Sequence, residues 1–322
     1  MSPLEKIALI IEAIPPYDFT LTAGYATYFR GRYGSDRFEN GLFRRLLDVN
    51  GKLCLASVSP EGTTDAPRLN LTLTAQEPSR ETIVAAKQQL SRILGTEQDL
   101  TLFYKRASSD KYLARLVRAF YGLHIPQTAS VFEGLILAIL GQQISSQVAF
   151  KLRTALIQAC GASIEIDATT YHAFPQPTSI VTAGPAKLRT IGLSARKAEY
   201  ILDIAHKVAD SELNLEALRK RSDEEIVATL TDIRGVGSWT AQWLLIRAFE
   251  RSDGFPASDL ALLRMMGVLM GRDSPLSPGE AIEYSRRWSP FRSCVTSYLF
   301  AAARSGQSDL FTPAASIADK PK

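Results

Sequence analysis

Apolar and polar residues alternate over Arg68–Thr74 (RLNLTLT), which puts Leu69, Leu71 and Leu73 on one face of a half-buried strand. Lys52–Val58 (KLCLASV) is also β-prone, and Pro60-Glu-Gly62-Thr-Thr-Asp65 between the two is a turn cluster. The period then becomes helical over Glu81–Leu94, a helix expected to cover this sheet. From about residue 110 the pattern becomes helical. Phe132–Leu140 is nearly all apolar and predicts a buried helix, opened by Ser130-Val-Phe-Glu133, which reads as a capping box. Gly141-Gln-Gln-Ile-Ser145 interrupts it, and a second helix is expected over about Ser146–Ala159, closed by Gly161 as a C-cap. Ser222-Asp-Glu-Glu225 and Ser277-Pro278-Gly-Glu280 are further capping boxes, the last with proline at the favoured first position. A final helix is expected from about Phe291 to Arg304. The Ala/Ser/Asp/Pro-rich tail, Ser305–Lys322, is expected to be disordered. The predicted class is α+β: a β-rich N-terminal domain with a small antiparallel sheet over 1–110, a mostly helical core over 111–304, and the tail.

Composition narrows the possibilities. The 322 residues suffice for two or three domains, and 46% apolar with 22% charged is ordinary globular usage. Thirty-seven Lys and Arg against 33 Asp and Glu leave a net charge of only +4, so a globally basic coat is excluded but a local basic face is not. Cys54, Cys160 and Cys294 form no CxxC, and the three histidines lack metal-ligand spacing. No disulfide framework, zinc ribbon, iron–sulfur cluster or other cofactor is therefore expected, and cysteine usage suits a reducing cytosol. Glu5, Lys6 and Glu12 interrupt the apolar N-terminal patch, which argues against a cleaved leader. No apolar run reaches the ~18 residues of a membrane span. A cytoplasmic protein is expected, nucleoid-associated if the source is prokaryotic.

The most informative stretch is Leu230-Thr-Asp-Ile-Arg-Gly235-Val236-Gly237-Ser238-Trp239-Thr240-Ala241. A capped helix ends near Leu230 and another begins near Ser238, with two glycines bracketing one apolar residue. Glycines permit positive φ and leave backbone N–H groups uncovered. Adjacent N–H groups at a helix start bind one anion. Val236 would anchor the turn. This is a helix–hairpin–helix, about 223–250, suited to gripping a DNA backbone phosphate without reading sequence. The G-x-G alone equally suits an ordinary helix–helix turn. Leu188-Arg-Thr-Ile-Gly192-Leu-Ser194-Ala-Arg196-Lys197 is a weaker second hairpin with two cations, or simply a solvated helix start.

Twenty residues beyond Trp239 stands Asp259, within a 255–270 segment, at the first turn of an apolar helix over Leu260–Met270 and after the extended Pro256. An aspartate there is commonly a cap. The same helix dipole favours its ionised form, and an ionised carboxylate beside a sugar can stabilise an oxocarbenium-like transition state or activate water.

Together the hairpin, Trp239, the spacing of 20 and Asp259 resemble the helix–hairpin–helix (HhH-GPD) DNA glycosylases, and among them the alkylation-repair 3-methyladenine DNA glycosylase II type. The likeness covers nearly the whole chain except the tail. Pro15-Pro-Tyr-Asp18 resembles the opening of that family's N-terminal domain. Ala138-Ile-Leu-Gly-Gln-Gln-Ile-Ser145 resembles its Ile-Leu-Gly-Gln loop. Trp288-Ser-Pro-Phe-Arg-Ser293 resembles its Trp-x-Pro-Trp-Arg-Ser segment, with Phe291 in place of one Trp.

The resemblance implies that Asp259 is the catalytic carboxylate, that Trp239, Trp243, Tyr25 and Phe300 line a base pocket, and that Gly235, Val236, Gly237, Ser238 and Thr240 contact DNA. It places a wedge in the loop Gln142, Gln143, Ile144, Ser145, with Gln143 where a relative inserts leucine. The same four residues also suit a tight turn, and each aromatic also suits core packing. The resemblance also suggests a monovalent cation at the carbonyls of Thr231, Ile233 and Val236. Strand-cleaving relatives carry a lysine at the position of Trp239, so it implies an enzyme that stops at an abasic site. The expected partner is alkylated double-stranded DNA and the expected state a monomer. An alkylated purine is cationic, so aromatic faces would attract it. Two alternatives remain at this stage: an oxidised-guanine glycosylase with lyase activity, and a non-catalytic DNA-damage-binding protein.

Overall fold

The computed structural model describes residues 3–311. Strands β1 (Leu4–Glu12), β2 (Arg32–Tyr33), β3 (Asp36–Glu39), β4 (Leu42–Val49), β5 (Lys52–Pro60) and β6 (Arg68–Gln76) form one sheet in the order β1-β6-β5-β4-β3-β2. Every neighbouring pair is antiparallel. Leu69, Leu71 and Leu73 are each 1% exposed, as their alternation predicts. The sheet is larger than the two strands legible in sequence. The apolar start of the chain is β1, whose register sets Leu9 against Leu71 and Ile11 against Leu69. It is an edge strand in which only Ile11 is fully buried, so its alternation is faint.

Each face of the sheet has a different cover. The helix Arg80–Ile93, capped by the Ser79 hydroxyl, lays Ala86, Leu90 and Ile93 against Phe43, Leu47, Val58 and Leu71. On the other face Leu46 and Leu55, paired across β4 and β5, meet Ile164, Ile166 and Tyr171 of the hairpin Ser163–Ile166/Thr169–His172.

The helical part has two cores. One gathers Val131–Gly141, Ser146–Cys160, Ala195–Ala209, Asp223–Thr231 and Ser238–Arg247. The other packs Leu260–Leu269, Pro278–Ser285 and Arg292–Arg304 with Thr101–Ala107 and Lys111–Ala119. The early helices thus pack with the end of the chain. Capping boxes form at Ser222/Glu225 and Ser277/Glu280. At Ser130 only half of the expected box forms. Ser130 accepts the Glu133 N–H at 3.0 Å, but the Glu133 carboxylate turns away to Arg45 at 2.5 Å. Arg45 also binds Asp36, its cross-strand neighbour, at 2.7 Å. The lost half-box costs roughly 1 kcal/mol. That is small beside the burial of every residue from Val131 to Leu140, at roughly 1.5–3 kcal/mol for each large apolar side chain.

Gly161 caps Ser146–Cys160, but in extended backbone (φ −82°, ψ 143°). Glycine is required because a Cβ would collide with the Ala173 carbonyl. Of the tail, Ser308–Phe311 forms one 3-10 turn, and residues 312–322 lie outside the described residues.

Candidate active site and DNA-contact face

The hairpin follows the helix Asp223–Thr231. Its two glycines serve different needs. Gly235 has φ +90°, and a Cβ there would run into the Tyr200 ring. Gly237 has φ −103° and ψ 176°, and a Cβ there would meet nothing within 4 Å. Gly237 is therefore not demanded by conformation; it leaves the outer surface of the turn bare. Val236 is 6% exposed and packs into the helical core. No side chain caps the helix that begins at Ser238, so its first N–H groups lack the usual capping acceptor. Ser238 is exposed at that start, and Thr240 is buried two residues on. The Ile233 carbonyl accepts the Val236 N–H at 3.0 Å. Of the three carbonyls expected at a monovalent cation, one is thus already engaged within the turn.

Trp239 and Trp243 lie one turn apart on the Ser238–Arg247 helix, both half-buried. The Trp239 indole Nε1 donates to Asp259 Oδ2 at 2.9 Å. Asp259 Oδ1 accepts the Ala261 and Leu262 N–H groups, both at 3.0 Å. The half-buried carboxylate is thus the N-cap of Leu260–Leu269 and is oriented by the indole as well. One side chain thus serves as the cap and receives the indole.

Further contacts, not legible in sequence, hold the segment that leads to this carboxylate. Gln242 Oε1 accepts the Phe255 N–H at 2.8 Å, tying the approach to Asp259 to the helix that carries Trp239. Arg292 grips Asp253 with Nε to Oδ1 at 2.8 Å and Nη2 to Oδ2 at 2.7 Å, and Ser289 donates to Oδ2 at 2.8 Å. Ser293 Oγ accepts the Gly254 N–H at 2.9 Å. The Trp288–Ser293 segment therefore staples residues 253–254, just ahead of Asp259. Burial alone would raise the Asp253 pKa; the Arg292 and Ser289 hydrogen bonds hold it below the usual carboxylate range.

Tyr25 lies at the far end of the same helix, and Phe300 shares the Arg304 guanidinium with it. Tyr25 is 2% exposed and Phe300 half-buried. Arg247, two turns beyond Trp239, has its guanidinium 5.4 Å from the Tyr25 centroid and 6.0 Å from that of Trp243. Arg304 lies 5.3 Å from Tyr25, 3.7 Å from Tyr28 and 4.8 Å from Phe300. The expectation of open, electron-rich ring faces is thus modified, because two cations already lie against them. Burial tends to raise the Tyr28 phenol pKa, but Arg304, Arg247 and Arg153 around it hold it below the usual value.

In the loop after Val131–Gly141, Gln142 faces inward. Its Nε2 donates to the Gly235 carbonyl at 3.0 Å and to Thr240 Oγ1 at 3.1 Å. Gln143 is exposed with φ +55°, Ile144 is half-buried, and Ser145 is an exposed N-cap for Ser146–Cys160. Among the described residues, no three His, Cys, Asp or Glu side chains form a group that could hold a metal. No helix of the described residues is long and apolar enough to cross a membrane.

Comparison with known proteins shows the family. The HhH-GPD superfamily base excision DNA repair protein family matches residues 136–290. The chain is 30% identical over 295 residues to a DNA-3-methyladenine glycosylase of Bacillus subtilis (strain 168), covering 91% of this chain and 96% of that protein. The solved 3-methyladenine DNA glycosylase of Archaeoglobus fulgidus superposes with a TM-score of 0.81 at 30% identity, over 92% of this chain and 98% of that one. A Schizosaccharomyces pombe 3-methyladenine DNA glycosylase, solved with abasic DNA, aligns with a TM-score of 0.54 at 26% identity, over 63% and 97%. With the hairpin, the indole-held aspartate and this similarity along nine-tenths of its length, the chain belongs to the DNA-3-methyladenine glycosylase family of the HhH-GPD superfamily.

Proposed function

We propose that this protein flips an alkylated purine out of double-stranded DNA and hydrolyses its N-glycosidic bond, leaving an abasic site. The observation that carries the reading is the 2.9 Å bond from Trp239 Nε1 to Asp259 Oδ2. One carboxylate oxygen is fixed by two backbone N–H groups and the other by an indole, so the charge has one orientation beside an aromatic wall. The C1′–N9 bond breaks with its electron pair leaving on the base, which neutralises the ring's positive charge. Little protonation of the leaving group is then needed. Asp259 stabilises the oxocarbenium-like sugar and accepts the proton of the water that adds to C1′.

The Gly235–Thr240 turn would hold a backbone phosphate on uncapped N–H groups, which fixes position without reading sequence. The nitrogen at position 239 is an indole already donating to Asp259. It offers no amine for a Schiff base, which supports hydrolysis without strand cleavage.

The test is Asp259→Asn with DNA methylated at purine N3 and N7, reading released bases by chromatography. Asn caps a helix as well as Asp, so the fold is preserved. Base release should fall on the order of 10²–10⁴-fold with DNA affinity retained. Full release by the variant overturns the assignment.

A further inference from the structure

The helix Ala195–Ala209 touches both the hairpin that the proposed function sets against a phosphate and the Gln142–Ser145 loop, where the resemblance implies a wedge. At its first turn Lys197 Nζ donates to the carbonyls of Leu140 at 2.9 Å and Gln142 at 2.7 Å. These belong to the end of the buried helix Val131–Gly141, where carbonyls lack helical partners and a positive charge is favoured. One turn on, the Tyr200 ring lies under Gly235 of the hairpin. Glu199 Oε1 accepts from Arg234 Nη1 at 2.6 Å, and the Arg234 guanidinium lies 5.4 Å from the Tyr200 centroid. Gln142 closes the circuit directly, through its bonds to Gly235 O and Thr240 Oγ1.

We propose that Lys197 is a positioning residue: it holds the Gln142–Ser145 loop in register with the Gly235–Thr240 hairpin, so that gripping the phosphate and inserting the loop tip are one mechanical event. This rests on the reading under Proposed function. The half-buried ammonium has two of its three donors engaged on backbone carbonyls. The neighbouring Arg196 is exposed, as a phosphate contact would be. The loop needs such a restraint, because Gln143 sits at φ +55°, a region that a non-glycine residue seldom holds without support. With Gln142 turned inward on both its carbonyl and its amide, Gln143 is left exposed at the tip.

The experiment follows 2-aminopurine fluorescence beside a lesion in duplex DNA, in the Asp259→Asn background, so that flipping is read without bond cleavage. Lys197→Met keeps the aliphatic stem and removes the donors. It should reduce the flipped population about tenfold, a change of ~1.4 kcal/mol. Affinity for undamaged duplex and its salt dependence should not change. Lys197→Arg should restore most of the signal. Gln142→Met should reproduce the loss, and the double variant should be no worse than either single one, because both remove the same coupling. If Lys197→Met weakens binding to every duplex and lowers the salt slope by about one, Lys197 is a phosphate contact and the proposal falls. It also falls if flipping is unchanged, or if the Gln142→Met loss adds to that of Lys197→Met. Should Lys197→Met not fold, Lys197→Arg and Gln142→Met decide on the same readout. Failure of the catalytic reading would show separately, as base release by Asp259→Asn itself.

Discussion

Trp239 and Asp259, 20 residues apart in sequence, share a 2.9 Å hydrogen bond that couples the first turns of two helices. The indole is a hydrogen-bond donor as well as an aromatic face. Trp239→Phe keeps an aromatic ring and deletes the N–H. A hydrogen bond to a charged group is worth roughly 1.5–3 kcal/mol, less where half-exposed. Single-turnover base release should fall about tenfold, with KM little changed, since ~1.4 kcal/mol of orientation is lost.

The two hairpin glycines separate folding from binding. Gly235→Ala forces a Cβ into the Tyr200 ring at φ +90° and should cost roughly 1–3 kcal/mol of stability, together with DNA affinity. Gly237→Ala meets open space in extended backbone, so Tm should stay within a few degrees while affinity for abasic DNA falls. Calorimetry and fluorescence anisotropy on both variants check this.

Asp253 ties stability to pH. Its folded pKa lies below the usual carboxylate value, despite burial, because of Arg292 and Ser289. Such a group contributes fully above its unfolded pKa of about 3.9, and the contribution is lost as pH falls through the folded value. The urea midpoint of the wild type should therefore drop more steeply between pH 4 and pH 2 than that of Asp253→Asn. Parallel curves would refute the coupling.

Arg304 lies over the Tyr28 and Phe300 rings at 3.7 and 4.8 Å. A cationic base drawn to the same rings meets a like charge, worth roughly 3 kcal/mol at ~5 Å and an effective dielectric of ~20. Arg304→Met should raise the release rate of cationic 7-methylguanine relative to neutral hypoxanthine by about tenfold or more. Competition between the two lesions in one duplex pool measures the ratio.

Local signals in the sequence were faithful. The period-2 run at Leu69–Leu73, the boxes at Ser222 and Ser277, the turn at Gly235–Gly237 and the helix start at Asp259 each depend on neighbours within a few positions. What was not legible depends on partners far along the chain. Glu133 looks like a box residue until Arg45, 88 positions away, takes its carboxylate. Arg292 carries no local signal of its role, because its bond to Asp253 spans 39 positions. Strand β1 hid because an edge strand with one exposed flank carries little alternation. Arg247 and Arg304 give no signal in sequence, because a cation on an aromatic face has no sequence spacing.

The Arg45 bridge has a consequence for how the molecule comes apart. The arginine stands mid-sheet, and its partner Glu133 sits in the first turn of the helix that ends at the Gln142 loop. With Arg45 replaced by Met, that helix would keep a buried carboxylate with nothing to neutralise it, a loss of several kcal/mol. The strands are therefore a keystone for the helices, and heat or urea should dismantle both halves in a single cooperative collapse.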